Sequence, residues 1–275
     1  MNKNNSVPYL FADAQKQIWQ ENLYNSTCIL LFSDYDGTLA EFHSDPAKTF
    51  PYDKIPELLQ KLTAHLIYEP TIITGREPED IRELMPEPRL PVAGLHGLFY
   101  LPPDEQEPQP ILDKPPALPE NIKNFLVKSA ERHSNLELEN KRLLKALHFN
   151  RKISQLYRQL EGKLRDYASE TDWEVIAGRR VLEVRPENWH KGKAVQHLRQ
   201  KFAAEAGYEN PQNCLTIYLG DDTTDEDVFK TLFPPKLTVY ISNTQKAEHT
   251  RADYFLNSPA EVQNFLQHLL NILET

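Results

Sequence analysis

Cysteine, long apolar runs and signal-like segments are scarce or missing in this chain of 275 residues. The two cysteines, Cys28 and Cys214, lie in apolar strand-like runs, so we expect buried reduced thiols rather than a disulfide or a metal site. No apolar stretch approaches the roughly 20 residues of a membrane span, which argues against a membrane protein. The polar start, residues 1–6, lacks the charged-then-apolar plan of a signal peptide, so we expect a cytoplasmic location.

Basic residues are fewer than acidic residues. Lysine and arginine total 31 residues against 40 aspartates and glutamates, which gives a net charge of -9 and a pI of about 5.5. This balance argues against a nucleic-acid-binding surface. An anionic ligand must therefore be held by individual basic side chains or by a metal ion. The sequence carries no signal for an oligomeric state.

The hydrophobic pattern alternates between short apolar runs and amphipathic stretches of helical period. This alternation predicts an α/β fold, a Rossmann-like core whose mainly parallel sheet is covered by helices on both faces. The predicted strands are 28–33, 71–74, 91–95, 215–219 and 237–241, and the predicted helices include 55–66, 194–202 and 262–270.

Residues 102–185 follow a different plan and begin with a proline-rich stretch. The rest of this segment predicts a helix near 120–133, strands near 136–139 and 143–149, a helix near 150–168 and a hairpin at 173–184. We therefore predict an α+β cap domain at 102–185, inserted into a core formed by residues 1–101 and 186–275. The chain length is consistent with about two domains.

Two carboxylates follow the first predicted strand. Asp34 and Asp36 lie two residues apart, directly after the apolar run 28–32, so both side chains can reach one space at the strand end. Gly37 permits a tight turn and Thr38 adds a hydroxyl. Such a pair suits one carboxylate as a nucleophile or metal ligand and the other as a proton donor. Taken alone, the motif could equally be an ordinary turn.

A second acidic cluster, residues 220–227, follows the predicted strand 215–219. So many acids are unlikely to share one face without a cation, and oxygen ligands suit a hard ion such as Mg²⁺. An EF-hand loop does not fit, because glycine and glutamate are missing at its sixth and twelfth positions. A helix N-terminus would explain Glu226 and Asp227, but not the pair Asp221 and Asp222 directly after a strand.

Two further elements complete a predicted phosphate site. Thr74 and Gly75 end another apolar strand and can donate hydrogen bonds to phosphate oxygens, and Arg76 follows them. Lys191 stands at the start of a predicted helix and can neutralise an anion. Each signal is weak alone. The order Asp-x-Asp-Gly-Thr, Thr-Gly-Arg, Lys, Gly-Asp-Asp is specific, and it resembles the haloacid dehalogenase (HAD) superfamily of phosphatases.

The resemblance extends to one family. The segment Gly220-Asp-Asp-Thr-Thr-Asp-Glu-Asp227 looks like the signature of the trehalose-6-phosphate phosphatases. Thr74 replaces the commoner serine of that family and keeps the hydroxyl. The resemblance covers nearly the whole chain after about residue 28, with further matching segments in the family's order at 92–97, 139–141, 146–148, 183–186 and 252–254.

The resemblance implies Mg²⁺-dependent hydrolysis of trehalose 6-phosphate, a small-molecule sugar phosphate, through an aspartyl-phosphate. It implies Asp34 as nucleophile and Asp36 as general acid and base. It further implies Mg²⁺ ligands (Asp34, the Asp36 main-chain carbonyl, Asp221), residues that orient metal-bound water or Lys191 (Asp222, Asp225), phosphate contacts (Gly37, Thr38, Thr74, Gly75, Arg76, Lys191) and cap residues for sugar hydroxyls (Glu139, Lys141, Glu183).

The residues themselves leave some alternatives open. From the sequence alone, Glu139 and Lys141 are at least as consistent with a solvated strand face, and we interpret His148 as a core histidine. The substrate could be another glycosyl phosphate, such as a glucosylglycerol or mannosylglycerate phosphate. The Asp-x-Asp pair could also serve a nucleotide-sugar glycosyltransferase, although the Gly-Thr after it and the distant Gly-Asp-Asp argue against this. A non-catalytic sugar-phosphate sensor is disfavoured, because both carboxylates and Lys191 are present.

Overall fold

The computed structural model describes residues 7–112, 114, 116–150, 154–178, 180–242 and 250–275. The chain divides into two compact units, one formed by Met1–Ile111 with His190–Thr275 and the other by Leu112–Trp189. Within the described ranges, no helix is long and apolar enough to cross a membrane.

In chain order the helices are α1 Asp13–Tyr24, α2 Ile55–Thr63, α3 Pro78–Leu84, α4 Glu120–Arg132, α5 Ser154–Ala168, α6 Lys191–Glu205, α7 Glu226–Thr231 and α8 Pro259–Leu273. The strands are β1 Ile29–Ser33, β2 Thr71–Ile73, β3 Val92–Gly94, β4 Phe99–Leu101, β5 Gln109–Pro110, β6 Leu136–Asn140, β7 Lys145–Phe149, β8 Trp173–Ala177, β9 Val181–Pro186, β10 Leu215–Gly220, β11 Lys236–Ile241 and β12 Tyr254–Leu256.

The first unit is built on an eight-stranded sheet with the order β12-β11-β10-β1-β2-β3-β4-β5. The six strands from β12 to β3 run parallel, and β4 and β5 extend one edge in antiparallel fashion. This arrangement confirms the predicted α/β class with a mainly parallel sheet. Parallel strands end at the same edge of a sheet, so the motifs that follow β1, β2 and β10 are brought together there.

Successive side chains of β1 point to opposite faces of the sheet, and both faces are buried. Ile29 and Leu31 belong to one buried cluster, which includes the apolar faces of α1, α2 and α8. Leu30 and Phe32 belong to a second cluster, on the side of α6 and α7. Burial of each such side chain contributes about 1.5–3 kcal/mol, so the central strands are well fixed.

The two cysteines form a disulfide, Cys28–Cys214. The expectation of reduced thiols was therefore wrong. The cause lies in the pairing of β1 with β10, where Ile29 is in register with Leu215 and each cysteine precedes its strand by one residue. The backbone N–H of Leu215 donates to the carbonyl of Cys28 at 2.8 Å, which keeps the two chains side by side at this end. Sequence spacing alone could not show this, because the two residues are 186 positions apart.

The second unit contains an antiparallel sheet with the order β6-β7-β9-β8. In-register pairs place Leu136 with Phe149, Leu147 with Leu182 and Val175 with Val184, so one face of the sheet is apolar. Helices α4 and α5 pack on this unit's strands and supply Leu126 and Leu164 to its buried interior. The opposite face carries the alternate residues, which include Glu137, Glu139, His148, Glu174, Glu183 and Arg185. We call it the charged face.

Candidate active site

Two predicted site residues meet where β1 and β10 end. Ser33 pairs with Leu219, so Asp34 and Asp221 emerge close to each other, and the N–H of Asp34 donates to the carbonyl of Leu219 at 2.8 Å. Carboxylate oxygens of Asp34, Asp221 and Asp225 all lie within 4.8 Å of one another. The site therefore concentrates three acids in a largely buried space.

Lys191 is the cation of this cluster. As the first residue of α6, its ammonium lies 2.8 Å from Asp34 Oδ1 and 2.9 Å from Asp225 Oδ1. The side chain is 2% exposed. Burial alone would lower the pKa of Lys191, but the charges of Asp225 and Asp34 outweigh burial and raise the pKa, so Lys191 stays protonated.

Asp225 is fully buried and accepts four hydrogen bonds. Its Oδ1 accepts from Lys191 at 2.9 Å and from the Tyr218 hydroxyl at 2.6 Å. Its Oδ2 accepts from the backbone N–H groups of Asp221 and Asp222, both at 2.9 Å. A carboxylate has about four lone-pair positions, so Asp225 has none left for a metal ion. Its contacts fit a residue that fixes Lys191 and the turn that carries Asp221.

The turn that follows β10 depends on a close approach. A Cβ atom on Gly220 would lie 2.6 Å from Asp225 Cβ and 2.7 Å from Asp225 Oδ2, closer than real side chains come. Asp222, which was also predicted to orient metal-bound water or Lys191, is exposed, and its Oδ1 accepts from the N–H and hydroxyl of Thr223 at 2.6 and 3.2 Å. The structure therefore places Asp225, but not the Asp222 carboxylate, in contact with Lys191.

The donor set of Asp34 and Asp221 suits a hard divalent cation. Burial raises the pKa of Asp34 to about 7, Lys191 partly offsets this effect, and the charge of Asp225 adds to it. Burial and the charges of Asp34 and Asp225 also raise the pKa of Asp221 well above its ordinary value. A cation between Asp34 and Asp221 would relieve the burial cost and the mutual repulsion. These two residues fit the metal site predicted from the sequence.

Asp36 and Arg76 form a bidentate ion pair. Arg76 Nε lies 2.7 Å from Asp36 Oδ2, and Arg76 Nη2 lies 2.6 Å from Asp36 Oδ1. Nη1 of the same side chain donates to the carbonyl of Pro46 at 3.0 Å. Arg76 was predicted as a phosphate contact, but its guanidinium here holds the candidate acid and base. This bidentate geometry fixes the plane and direction of the Asp36 carboxylate.

The threonines and glycines predicted for phosphate binding lie beside these acids. Thr74 follows β2 and is 1% exposed, and its hydroxyl accepts from the N–H of Arg76 at 3.2 Å. Thr38 is fully buried, and its hydroxyl has no hydrogen-bond partner within the described part of the chain. Gly37 has a φ of +76°, and a Cβ there would lie 2.5 Å from Asp221 Cγ. Glycine is therefore required at this turn.

His96 lies next to Thr74 and Gly75. Its side chain is buried, and a Cβ on Gly75 would lie 3.0 Å from His96 Cε1. The His96 N–H donates to the carbonyl of Thr74 at 2.8 Å, so the residue supports the end of β2.

The three residues predicted to bind the sugar also form a cluster, on the charged face of the second unit. Lys141 Nζ lies 3.1 Å from Glu183 Oε2 and 3.7 Å from Glu139 Oε2. The Lys141 and Glu183 side chains are only 9% and 10% exposed, whereas the Glu139 side chain is 44% exposed, so the alternative of a solvated strand face fits Glu139 but not Lys141. His148 Nε2 lies 2.8 Å from Glu139 Oε2, and its side chain is 44% exposed. The interpretation of His148 as a core histidine was therefore wrong.

Sequence reasoning missed Tyr218. This residue is fully buried in β10, two positions before Gly220, and its ring packs edge-on against Phe229. Burial and the charge of Asp225 raise its pKa well above the ordinary value, so it remains a hydroxyl donor. The available signal was weak: a tyrosine in a buried strand needs a hydrogen-bond partner, but the sequence does not say which one.

An open, mainly parallel sheet with carboxylates after two adjacent strands, a hydroxyl after a third and a buried lysine is the arrangement expected from the resemblance to the HAD phosphatases. Comparison with known proteins gives the family. A model of the trehalose-phosphatase family matches residues 32–260. A probable trehalose-phosphate phosphatase E of Arabidopsis thaliana is 33% identical over 257 residues, covering 88% of this chain and 70% of the relative.

Solved structures agree. Trehalose-6-phosphate phosphatase of Aspergillus fumigatus superposes with a TM-score of 0.67 at 26% identity, covering 96% of this chain and 99% of that chain. The C-terminal domain of the C. albicans trehalose-6-phosphate phosphatase gives a TM-score of 0.77 at 24% identity, with coverage of 97% and 99%, and supports the fold. The chain belongs to the trehalose-phosphatase family, whose members are phosphoric monoester hydrolases.

Proposed function

We propose that this chain hydrolyses trehalose 6-phosphate to trehalose and phosphate in a Mg²⁺-dependent reaction. The observation that carries the proposal is the meeting of Asp34, Lys191 and Asp221 at one edge of the parallel sheet. Membership of the trehalose-phosphatase family and the names of its relatives support the substrate. No specific observation favours a glycosyltransferase or another glycosyl phosphate.

Asp34 is the proposed nucleophile. One of its carboxylate oxygens attacks phosphorus, the bond between phosphorus and the sugar oxygen breaks, and an aspartyl-phosphate forms. The contact with Lys191 at 2.8 Å orients the carboxylate and offsets its charge while the anionic phosphoryl group approaches. Asp225 holds Lys191 from the other side at 2.9 Å, so the ammonium is fixed before substrate binds.

Asp36 is the proposed general acid and base. It donates a proton to the sugar oxygen as that oxygen leaves, and it then removes a proton from the water that attacks the aspartyl-phosphate. The second step releases phosphate and restores Asp34. Arg76 keeps both Asp36 oxygens in a fixed direction through its two hydrogen bonds at 2.6 and 2.7 Å.

The remaining phosphoryl oxygens face donors at the strand ends. The Thr74 hydroxyl, the Thr38 hydroxyl and the adjoining turns at Gly37 and Gly75 are proposed to donate hydrogen bonds to them. Asp34, Asp221 and the main-chain carbonyl of Asp36 would hold Mg²⁺, which, when bound, would offset negative charge on the phosphoryl group.

The second unit is proposed to act as a cap that recognises the sugar. Vicinal hydroxyl groups of a disaccharide can donate to Glu139 and Glu183 and accept from Lys141. Binding energy from the non-reacting sugar would then favour the large natural substrate over a small phosphate ester.

A phosphate-release screen tests the proposal. The panel contains trehalose 6-phosphate, glucose 6-phosphate, a glucosylglycerol phosphate, a mannosylglycerate phosphate and p-nitrophenyl phosphate, without any nucleotide sugar. We expect fastest release from trehalose 6-phosphate, loss of activity with chelator, and recovery on addition of Mg²⁺. The matched control is Asp34→Asn, which keeps the side-chain size but cannot attack phosphorus. Faster release from another panel member would refute the substrate, and full activity of Asp34→Asn would refute the nucleophile.

A further inference from the structure

His148 is a residue of the charged face that contacts the sugar-binding cluster but has no role in the proposed reaction. His148 lies on β7, and Glu139 lies on β6, which is the edge strand of the four-stranded sheet. In-register pairing places His148 opposite Glu137, which lies two residues before Glu139 on the same face of β6. The Glu139 side chain is 44% exposed, so it has many accessible rotamers. The direction of its carboxylate therefore depends on the groups that contact it.

Two groups in the described part of the chain contact the Glu139 carboxylate, at different distances. His148 Nε2 lies 2.8 Å from Oε2, which is hydrogen-bonding distance. Lys141 Nζ lies 3.7 Å from the same oxygen and is closer to Glu183, at 3.1 Å. His148 is therefore the nearer restraint on Glu139.

Both contacts use the same carboxylate oxygen. Among the described residues, Oε1 of Glu139 has no hydrogen bond, so it can accept one from a ligand hydroxyl. Burial alone would raise the pKa of Glu139, but the hydrogen bond with His148 and the charge of Lys141 outweigh burial and lower the pKa. Glu139 is thus held ionised, with one oxygen anchored.

We propose that His148 is a positioning residue for sugar recognition, which anchors Glu139 Oε2 so that Oε1 points to a hydroxyl group of the substrate's sugar. This inference rests on the proposed function, because it assumes that Glu139 binds the sugar of a sugar phosphate. It makes sugar selectivity depend on a side chain that does not itself touch the reacting phosphate.

The test compares wild type, His148→Ala and His148→Gln on trehalose 6-phosphate and p-nitrophenyl phosphate. Loss of the charge-assisted hydrogen bond should raise KM for trehalose 6-phosphate about tenfold in His148→Ala. The value of kcat, and kcat/KM for the aryl ester, should stay within about twofold. His148→Gln keeps an N–H donor and should recover KM to within about threefold of wild type.

Two further variants separate positioning from a general effect on the charged face. Glu137→Gln removes a charge from the same face of β6 without breaking a contact to Glu139, and it should leave KM unchanged. If His148 acts through Glu139, adding His148→Ala to Glu139→Ala should change KM no further. Thermal unfolding followed by circular dichroism checks that each variant folds. If His148→Ala does not fold, the KM of His148→Gln is compared with that of the wild type instead.

The outcomes distinguish the inference from the proposed function. A wild-type preference for trehalose 6-phosphate with an unchanged KM in His148→Ala would overturn the inference alone. Additive effects of His148→Ala and Glu139→Ala, or an equal loss in Glu137→Gln, would also overturn it. A wild-type enzyme with no preference for trehalose 6-phosphate over the aryl ester would overturn the proposed function and, with it, the inference.

Discussion

Reduction of the Cys28–Cys214 disulfide should destabilise the first unit by a large and calculable amount. The cross-link joins residues 186 positions apart, so it restricts a long loop in the unfolded chain. The chain-entropy relation gives a loss of about 18 cal/mol/K for a loop of this length, or about 5 kcal/mol at 25 °C. Since whole domains are stable by about 5–15 kcal/mol, an effect of this size is easily measured.

The assay is urea unfolding followed by circular dichroism, with and without a phosphine reductant. With a slope of about 3 kcal/mol per M, reduction should lower the midpoint of the first unit by about 1.7 M. Cys214→Ala is the matched control, because it cannot form the disulfide and its midpoint should not respond to reductant. Thiol titration of the denatured wild type should find no free thiol unless reductant was added.

Two results would contradict this reasoning. The first is an equal midpoint with and without reductant in the wild type. The second is two titratable thiols in protein prepared without reductant. Either result would indicate that the two cysteines are buried reduced thiols, as first expected from the sequence. A reducing compartment favours that state.

Three further predictions concern the two clusters. Arg76→Lys breaks the bidentate hold on Asp36 and should lower kcat for trehalose 6-phosphate about tenfold or more, and less for p-nitrophenyl phosphate, whose leaving group scarcely needs a proton. An equal loss on both esters would count against the acid role. Tyr218→Phe removes one donor from Asp225 and should cost about 1–3 kcal/mol in urea unfolding, so an unchanged midpoint would be contrary to expectation. Because the pKa of Glu139 is lowered, its carboxylate is lost only as pH falls through that lowered value. Preference for the sugar ester should therefore stay constant as pH falls from neutral and should decline only below the ordinary titration range of a glutamate. A decline already near neutral pH in steady-state kinetics would refute this.

Much of the fold was predictable because hydrophobic period and strand-end motifs agree. The runs at 28–33 and 215–219 predict buried strands, and the structure pairs them as β1 and β10, which brings Asp34 and Asp221 together. The helix predicted at 194–202 lies within α6. These features follow from local pattern and from the rule that parallel strands end at one edge.

The partners of individual side chains were less predictable, because they depend on register between distant segments. Arg76 follows a phosphate-like Thr-Gly motif, yet its guanidinium turns to Asp36, 40 residues earlier in the chain. His148 belongs to a strand whose alternation does not say whether its face is covered. The register of β6 with β7 places His148 on the same face as Glu139, within hydrogen-bonding distance.

The carboxylate of Asp225 lies inside the turn after β10 and accepts hydrogen bonds from the backbone of that turn. This position restricts which residues the turn can contain. Because Asp225 fills the space where a side chain on Gly220 would lie, with both its Cβ and its carboxylate, position 220 must remain glycine for as long as Asp225 occupies this place. Thr223, exposed in the same turn, has no such restriction. In a library that randomises residues 220–225, we expect functional clones to retain Gly220 and Asp225, together with the proposed metal ligand Asp221, while the exposed Thr223 varies freely.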